Sequence, residues 1–351
     1  MSRRQSKNDD KRGGGPSSQP ASASGRNRGL QVAIAVVSLA VGAVAVERVT
    51  RPNAVGPSSS PESLDLPVGS SRISPPPPPE PATPTFVEAM DEGKQLGSEI
   101  ARQFPDSAES MAIAGQVLFA FGSVEQARDC WQRAIELDPQ LADAWLGMAE
   151  LTHRLGEFDK TVECMRRLAE IDANLATEKV FYLADSLLKL GRPEEAVEEL
   201  ETIGATTPLP SGARVTLGQA YCQQKQYEKA AEQFRLALDD PQQASVAHYG
   251  LSTALMRLGD VEQARQHRDE YARLQEKNME TFDRMQRAGG EGERVDPAPL
   301  YPILAKYHFE AARLYAIRGQ REPAENHALR AWALVPDRPE PRALLESFYE
   351  Q

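Results

Sequence analysis

Cysteine is scarce in this sequence, with three cysteines among 351 residues. Cys130, Cys164 and Cys222 are odd in number, lie far apart and form no C-x-x-C pair. This spacing argues against a disulfide framework and against a zinc site. We therefore expect the three thiols to behave as small buried apolar side chains, with no metal or redox role.

Catalytic motifs are also missing. The chain has no G-x-S-x-G, H-E-x-x-H, P-loop or G-x-G-x-x-G pattern. Its five histidines are scattered, and no two of them have metal-ligand spacing on one face of a helix: His153, His248, His267, His308 and His327. The acidic run from Glu194 to Glu201 surrounds apolar residues, which is typical of the solvated face of an amphipathic helix. We expect no enzymatic activity, no cofactor and no small-molecule substrate.

Basic residues are in the minority, with 40 Lys and Arg against 51 Asp and Glu and a net charge of −11. The N-terminal segment 1–29 is the exception, because seven of its side chains are basic and only two are acidic. The rest of the chain is therefore strongly acidic and lacks the basic surface that nucleic acids require. We expect no nucleic-acid partner.

One long apolar run is present, from Leu30 to Val46, and it contains no charged residue. As a helix, these 17 residues would span about 25 Å, slightly less than a hydrocarbon core of about 30 Å. The basic residues before it place residues 1–29 in the cytoplasm as a disordered tail and the rest on the extracytoplasmic, periplasmic-type side. Residues 30–46 are thus predicted to be a transmembrane signal anchor. The small residues at positions 43 and 45 leave open cleavage near Ala45, which would release a secreted or periplasmic protein.

Residues 47–85 are rich in proline and serine, with an unbroken proline run at 75–79. Proline fixes φ and lacks an amide donor, so this segment is predicted to be an extended linker.

From residue 86 onward the pattern is helical and periodic. Prolines at 105, 139, 208 and 241 fit a 34-residue period in which one proline, expected between 139 and 208, is absent. The clearest unit, residues 211–244, contains Leu217, Gly218, Tyr221, Tyr227, Ala230, Phe234 and Ala237. This pattern resembles the tetratricopeptide repeat family, in which W-x2-L-G-x2-Y is followed by A-x3-F and then by A and P. The resemblance implies an all-α, right-handed superhelical stack of helix-turn-helix hairpins over 86–351.

The predicted repeats are 108–141, 142–176, 177–210, 211–244, 245–278 and, after an interruption, 305–338. We expect 86–104 to cap one end of the stack and a terminal helix at 339–351 to cap the other. The interruption begins with a helical pattern that continues to about Gln286. Its apolar stripe is predicted to pack on the sixth repeat, with a contact to a partner or in a dimer as the alternative: Tyr271, Leu274, Met279, Phe282 and Met285.

Small and large residues recur at fixed positions of these repeats. Small residues let the two helices of a hairpin approach closely, and large ones fill the space toward the next repeat. The residues with these structural roles are Gly115, Ala127, Trp131, Trp145, Ala196, Gly218, Tyr221, Ala230, Phe234 and Ala324.

In the family, the first helices of successive hairpins line a concave groove that takes peptide segments. The resemblance places these residues in the groove: Asp143, Leu146, Glu150, Glu178, Phe181, Tyr182, Asp185, Gln219 and Tyr249. Because several of them are acidic or apolar, we expect the partner to be a basic or mixed apolar-basic segment of another protein.

These patterns together predict a membrane-anchored scaffold that mediates protein–protein interaction and complex assembly. Two alternatives stay open. One is an accessory subunit of a membrane-associated enzyme complex, and the other is an organelle outer-membrane receptor with cytosolic repeats.

Overall fold

The structure is a computed structural model that describes residues 76–288 and 296–349. The helices in these ranges are α1 (Phe86–Gln103), α2 (Ala108–Ala120), α3 (Val124–Leu137), α4 (Ala142–Leu155), α5 (Phe158–Ile171), α6 (Ala173–Glu178), α7 (Phe181–Lys189), α8 (Pro193–Gly204), α9 (Ser211–Gln223), α10 (Tyr227–Leu236), α11 (Ala244–Leu258), α12 (Val261–Ala288), α13 (Tyr301–Ile317), α14 (Arg321–Leu334) and α15 (Pro339–Ser347). A short 3₁₀ turn, Ala298–Leu300, precedes α13. The described part of the chain contains helices and no strands, which confirms an all-α repeat stack.

The turns inside the hairpins require a left-handed backbone. Glycines with positive φ end the first helix of five hairpins: Gly122, Gly156, Gly191, Gly259 and Gly319. Glycine is favoured there because it has no Cβ to clash with the following carbonyl. In the hairpin of α9 and α10, Lys225 occupies this position with φ 62° and is the non-glycine exception in the described residues.

Large aromatic side chains lock neighbouring hairpins together. Trp131 of α3 is 1% exposed and lies between Gly115 of its own hairpin and Gly147 of the next. Phe234 of α10 lies in the same way between Gly218 and Gly250. A Cβ added at Gly115 would lie 2.7 Å from the Trp131 indole nitrogen, so the close packing depends on glycine.

The third hairpin departs from the predicted boundaries. Residues 173–178 form the separate short helix α6, because the Asp172 side chain accepts hydrogen bonds from the amides of Asn174 and Leu175. The first long helix of this hairpin, α7, therefore begins at Phe181 rather than at 177. The first helix of this repeat is correspondingly short, with nine residues.

The row of consecutive hairpins ends with α11 and α12. Arg268 of α12 lies one repeat length after Phe234, at the position where an aromatic ring would insert into a following hairpin, and it is exposed. A polar residue at this position is typical of a terminal repeat. Helix α12 continues for 28 residues, about 42 Å at 1.5 Å per residue.

The sixth predicted repeat does not follow the fifth in space. Its hairpin, α13 and α14, packs on α1 and α2 at the opposite end of the row, and their apolar residues share one core. Helix α13 runs parallel to α1, because Glu92 pairs with His308 and Glu99 with Tyr315 in the same register. The expectation that α1 caps one end of the stack is therefore wrong, because α1 packs on α2 and is itself covered by the C-terminal hairpin.

The apolar stripe predicted on α12 has a different environment from the one expected. The Tyr271 ring lies 5.3 Å from the Tyr249 ring of α11, and Met279 is 60% exposed. Tyr271 thus packs within the fifth hairpin and not on the sixth repeat. The side chains of Phe282 and Met285 lie outside the described residues.

The end of the proline-rich segment is attached to the C-terminal hairpin. The Ala82 amide donates to the Ala333 carbonyl at 2.8 Å, and the Tyr301 hydroxyl donates to the Pro84 carbonyl at 2.9 Å. Thr85 then begins α1 through a capping box with Glu88. Residues 82–85, predicted as linker, are therefore part of the folded body.

The terminal helix α15 packs on α14.

Within the described residues, no helix combines the length and apolar character needed to cross a bilayer. The predicted tail and anchor, residues 1–46, and the linker up to residue 75 lie outside the described residues.

Candidate functional site

The first helices of the consecutive hairpins, α2, α4, α7, α9 and α11, form one face of the row, which we call the groove face. The nine predicted groove residues all lie on it or at its edge, but they differ in exposure. Asp143, Glu178, Phe181 and Tyr249 are exposed; Leu146, Glu150, Tyr182 and Gln219 are half-buried; and Asp185 is buried.

An aromatic cluster lies at the centre of this face. The His153 ring makes edge contacts with Phe158, Phe181 and Tyr182, at centroid distances of 5.9, 5.7 and 5.2 Å. Phe181 also contacts Tyr182 at 5.5 Å. Since Phe181 remains 38% exposed, the cluster presents a braced apolar surface to solvent.

Asp185 does not have the free carboxylate expected from the sequence. Its side chain lies 2.9 Å from His153 Nε2 and 3.9 Å from Lys189 Nζ, and the residue is 9% exposed. The physical reason is that Asp185 lies on the side of α7 that faces α4, where the His153 ring covers its carboxylate. It orients the histidine of the aromatic cluster rather than attracting a partner.

Glu150 is likewise not a simple exposed anion. The Tyr182 hydroxyl donates to its carboxylate at 3.3 Å. Burial raises the pKa of Glu150, while the charges of Lys179, Arg154 and Lys306 oppose that rise. Lys306 belongs to α13, so the returning C-terminal hairpin contributes to the groove face beside α4.

Asp143 is the exposed acidic position at the beginning of α4. Neighbouring protein atoms exclude part of the water from its carboxyl and so raise its pKa, the nearby Asp172 raises it further, and Lys306 opposes both effects. This end of the groove face therefore combines the like charges of Asp143 and Asp172 with the opposite charge of Lys306.

The repeat-signature residues serve packing. Ala127, Ala196, Ala230 and Ala324 are all completely buried. Trp145 is half-buried, and its indole nitrogen donates to the Pro139 carbonyl at 3.0 Å. The Tyr221 hydroxyl donates a hydrogen bond to the Glu201 carboxylate. Burial raises the pKa of Tyr221, and the hydrogen bond to this carboxylate raises it further.

The histidines that look scattered in the sequence form two pairs. His248 and His267 approach with Nδ1 atoms 2.9 Å apart, and His308 and His327 with Nδ1 atoms 3.0 Å apart. The partners of each pair are 19 positions apart and join the two helices of one hairpin. The signal in the sequence was the equal interval from His248 to His308 and from His267 to His327, which is also the offset between the fifth and sixth repeats.

Across residues 76–288 and 296–349, no group of three or more His, Cys, Asp and Glu side chains is arranged to hold a metal ion. Two structural glycines, Gly147 and Gly250, were not predicted from the sequence, although they accept the aromatic rings of the preceding hairpins.

Family models for tetratricopeptide repeats match residues 115–156, 182–245 and 245–270. The chain therefore contains tetratricopeptide repeats, as the spacing of its small and aromatic residues indicated.

Curated relatives match about two fifths of the chain. The CTR9 homolog of Arabidopsis thaliana is 26% identical over 142 residues, 40% of this chain and 10% of that protein. Tetratricopeptide repeat protein 37 of Xenopus laevis is 26% identical over 145 residues, 41% of this chain and 9% of that protein. The match thus spans about a tenth of the length of these relatives.

Solved structures show a general similarity. The structure of YrrB, described as a TPR protein with an unusual peptide-binding site, is 17% identical, with a TM-score of 0.42 over 52% of this chain and 94% of that one. PilW, described as a type IV pilus biogenesis factor, is 18% identical, with a TM-score of 0.43 over 68% of this chain and 98% of that one.

Proposed function

We propose that this protein is a scaffold whose groove face binds peptide segments of other proteins and so assembles complexes. The observation that carries the proposal is the position of Phe181 and Tyr249. They are the two aromatic residues among the exposed large hydrophobic residues of the described part, 38% and 56% exposed, and both lie on first helices. Partly exposed, braced aromatic side chains are typical anchors of protein interfaces.

The proposed partner is a segment that combines apolar and basic side chains. An apolar residue would pack on Phe181, which the His153 cluster holds in place. A lysine or arginine would lie near Asp143, an exposed residue whose carboxylate is repelled by Asp172. Glu150 and Asp185 contribute less to this attraction, because Glu150 lies within reach of three cations and Asp185 is bonded to His153.

We further propose that residues 30–46 anchor the scaffold in a membrane, with residues 1–29 in the cytoplasm and the repeats on the extracytoplasmic side. The support is the uncharged apolar run and the seven basic residues that precede it. The proline-rich segment would then hold the repeats away from the bilayer, up to its attachment at Ala82.

The groove proposal is tested by selecting peptides from a random display library on the full chain, solubilised in detergent. We expect the selected peptides to combine basic with aromatic or aliphatic residues. A Phe181→Ala/Tyr249→Ala variant should weaken their binding at least tenfold. The matched control is Leu236→Ala, because Leu236 is 51% exposed but lies on the second helix α10. Equal binding by the groove variant and by wild type would refute the groove proposal.

The anchor is tested separately by expressing the full chain and a variant that lacks residues 30–46. We expect alkaline carbonate to leave the full chain in the membrane pellet and to release the variant. Protease added outside intact spheroplasts should degrade the repeats of the full chain. Full protection of the repeats, with the chain still in the pellet, would contradict the proposed orientation.

A further inference from the structure

The end of the row formed by α11 and α12 exposes positions that are buried one repeat earlier. In α10, Ala231 and Phe234 are each 1% exposed, and α10 packs against the following helix α11. The residues 34 positions later on α12 are Arg265 and Arg268, and both are exposed. The side of α12 that a following hairpin would cover therefore faces solvent.

This end of the row is rich in exposed apolar side chains. The described part of the chain has eleven exposed large hydrophobic residues, and six of them lie on α11 and α12: Val246, Tyr249, Met256, Leu258, Val261 and Met279. The last hairpin of a solenoid is usually polar on its outer side, because no further repeat covers it. Exposed apolar side chains gathered on one hairpin are instead typical of a protein contact. The end of the row is therefore a candidate interface.

One line of residues along the exposed side of α12 has a symmetric spacing. Ala272 lies at its centre, Arg268 and Glu276 lie four positions before and after it, and Arg265 and Met279 lie seven positions before and after it. Positions four and seven apart share one face of an α-helix, because the helix has about 3.6 residues per turn. All five residues are exposed. A second copy of α12 that runs antiparallel, about a two-fold axis at Ala272, would place each residue of this line opposite a member of the same line.

The charges along this line are self-complementary in that orientation. Its first half carries the cations Arg265 and Arg268, and its second half carries the anion Glu276. An antiparallel copy would bring Arg268 of each chain opposite Glu276 of the other, which gives two ion pairs per dimer. A parallel copy would bring Arg268 against Arg268, so repulsion between like charges disfavours it. Ala272 at the centre is small and lets the two helices approach closely.

The two charged residues that would pair have no such contact within their own chain. Arg268 and Glu276 form no ion pair with any residue that the structure describes. The neighbouring Arg273 and Glu270 of α12 already pair with each other. Arg268 and Glu276 are therefore available to an opposite charge from outside the chain.

We propose that this end of the row is a homodimer interface, in which α12 packs antiparallel to α12 of a second copy about a two-fold axis at Ala272. Arg268 of each copy pairs with Glu276 of the other. The aliphatic part of Arg265 covers Met279 of the other copy, which is 60% exposed in the single chain. Because both copies use the same surface, the contact closes on two chains.

The affinity of this dimer should be moderate. A contact centred on one pair of helices is smaller than the roughly 800 Å² per copy of a standard interface. We expect a dissociation constant in the micromolar range. The inference concerns the end of the row and stands whether or not the groove face binds peptides.

The test is sedimentation equilibrium of the full chain in density-matched detergent, from about 1 to about 100 µM. We expect a reversible equilibrium between monomer and dimer. Arg268→Glu and Glu276→Arg should each weaken the dimer at least about tenfold, because each places two like-charged pairs across the interface. The double variant Arg268→Glu/Glu276→Arg restores opposite charges, so its dissociation constant should return toward that of wild type.

Three outcomes of this measurement contradict the proposal. A wild-type chain that stays monomeric throughout the concentration range would overturn it. A dissociation constant that is unchanged in both single variants would show that these charges do not meet. A double variant that is weaker than either single variant would rule out the antiparallel pairing. Because Arg268 and Glu276 are exposed, far-UV circular dichroism should show that all variants fold.

Cross-linking tests the two-fold axis directly. A disulfide needs two Cα atoms within about 7 Å of each other, and a residue at a two-fold axis meets its own copy. Under mild oxidation, Ala272→Cys should therefore give a disulfide-linked dimer on a non-reducing gel. The matched control is Gln266→Cys, an exposed position off this line of α12, which should stay monomeric. A dimer that persists in Arg268→Glu and is not cross-linked through Ala272→Cys would lie elsewhere on the chain and would contradict the proposal.

Discussion

Replacing Gly147 by alanine tests whether the packing of the Trp131 ring between two hairpins determines stability. Glycine in the middle of a helix costs about 1 kcal/mol relative to alanine, so propensity alone predicts that Gly147→Ala is stabilising. The structure predicts the opposite. A Cβ at this position would lie 2.6 Å from Trp131 Cζ2 and closer still to two other indole atoms.

The indole is confined on several sides. Trp131 is 1% exposed, Gly115 supports its other side, and the Phe119 ring lies 5.3 Å away. Overpacking of a well-packed core costs about 1–3 kcal/mol. After the gain in helix propensity, we expect Gly147→Ala to lower the free energy of unfolding by about 1–2 kcal/mol.

Urea unfolding of the full chain, followed by far-UV circular dichroism, measures this change. The control is Gly212→Ala in α9, because a Cβ there would meet only ordinary contacts at 3.8 Å or more and should be neutral or slightly stabilising. Trp131→Phe removes the clashing indole atoms, together with a buried Nε1 that has no hydrogen-bond partner among the described residues. In that background the cost of Gly147→Ala should shrink. A Gly147→Ala protein as stable as wild type would refute the reasoning.

Three further predictions concern single residues. Glu92→Gln should destabilise the chain by weakening the contact with Arg330. It should also reduce the loss of stability between about pH 4.5 and 2, because the pKa of Glu92 is lowered from 4.5 to about 2 and its contribution is lost across that window. Urea midpoints between pH 7 and 2 measure both effects, and a variant with the wild-type pH profile contradicts them. Cys130 and Cys164 should react with a thiol reagent at pH 8 only after unfolding, because burial raises their pKa values to about 11 and about 12. Rapid labelling of the native chain would show that these two thiols are not buried. Lys225→Gly should stabilise the chain by about 1 kcal/mol, because it relieves the left-handed backbone at φ 62°; a lower urea midpoint for this variant would show that the turn is unstrained.

Much of the local structure could be predicted from the sequence, because it depends on interactions between residues close in the chain. The glycines of the hairpin turns, the proline breaks and the 34-residue spacing all act within one or two helices. Even the insertion of Trp131 and Phe234 toward the next hairpin follows from a repeat that contacts only its neighbours. Eight of the nine predicted groove residues lie on the first helices for the same reason, and Glu178 lies at the end of α6.

Predictions failed where a local interaction overrode the repeat pattern. Asp172 forms an N-cap that starts α6, so the first long helix of that repeat begins only at Phe181, and Asp185 is buried by a separate contact with His153. The family spacing carries no information about that hydrogen bond.

The sequence alone determined the class of fold, the periodic hairpins and the aromatic residues that lock them, since these follow from spacing and side-chain size. Only the tertiary structure decided where the sixth hairpin lies. A solenoid pattern predicts neighbours in order, but the row of consecutive hairpins ends at α12, where the exposed Arg268 stands in place of an inserting aromatic ring, and α1 has a further apolar face to bury besides the one that packs on α2. Burial of that face, together with long-range ion pairs such as Glu92–Arg330, brings the C-terminal hairpin to the other end. Such contacts have no period in the sequence, so no repeat pattern could reveal them.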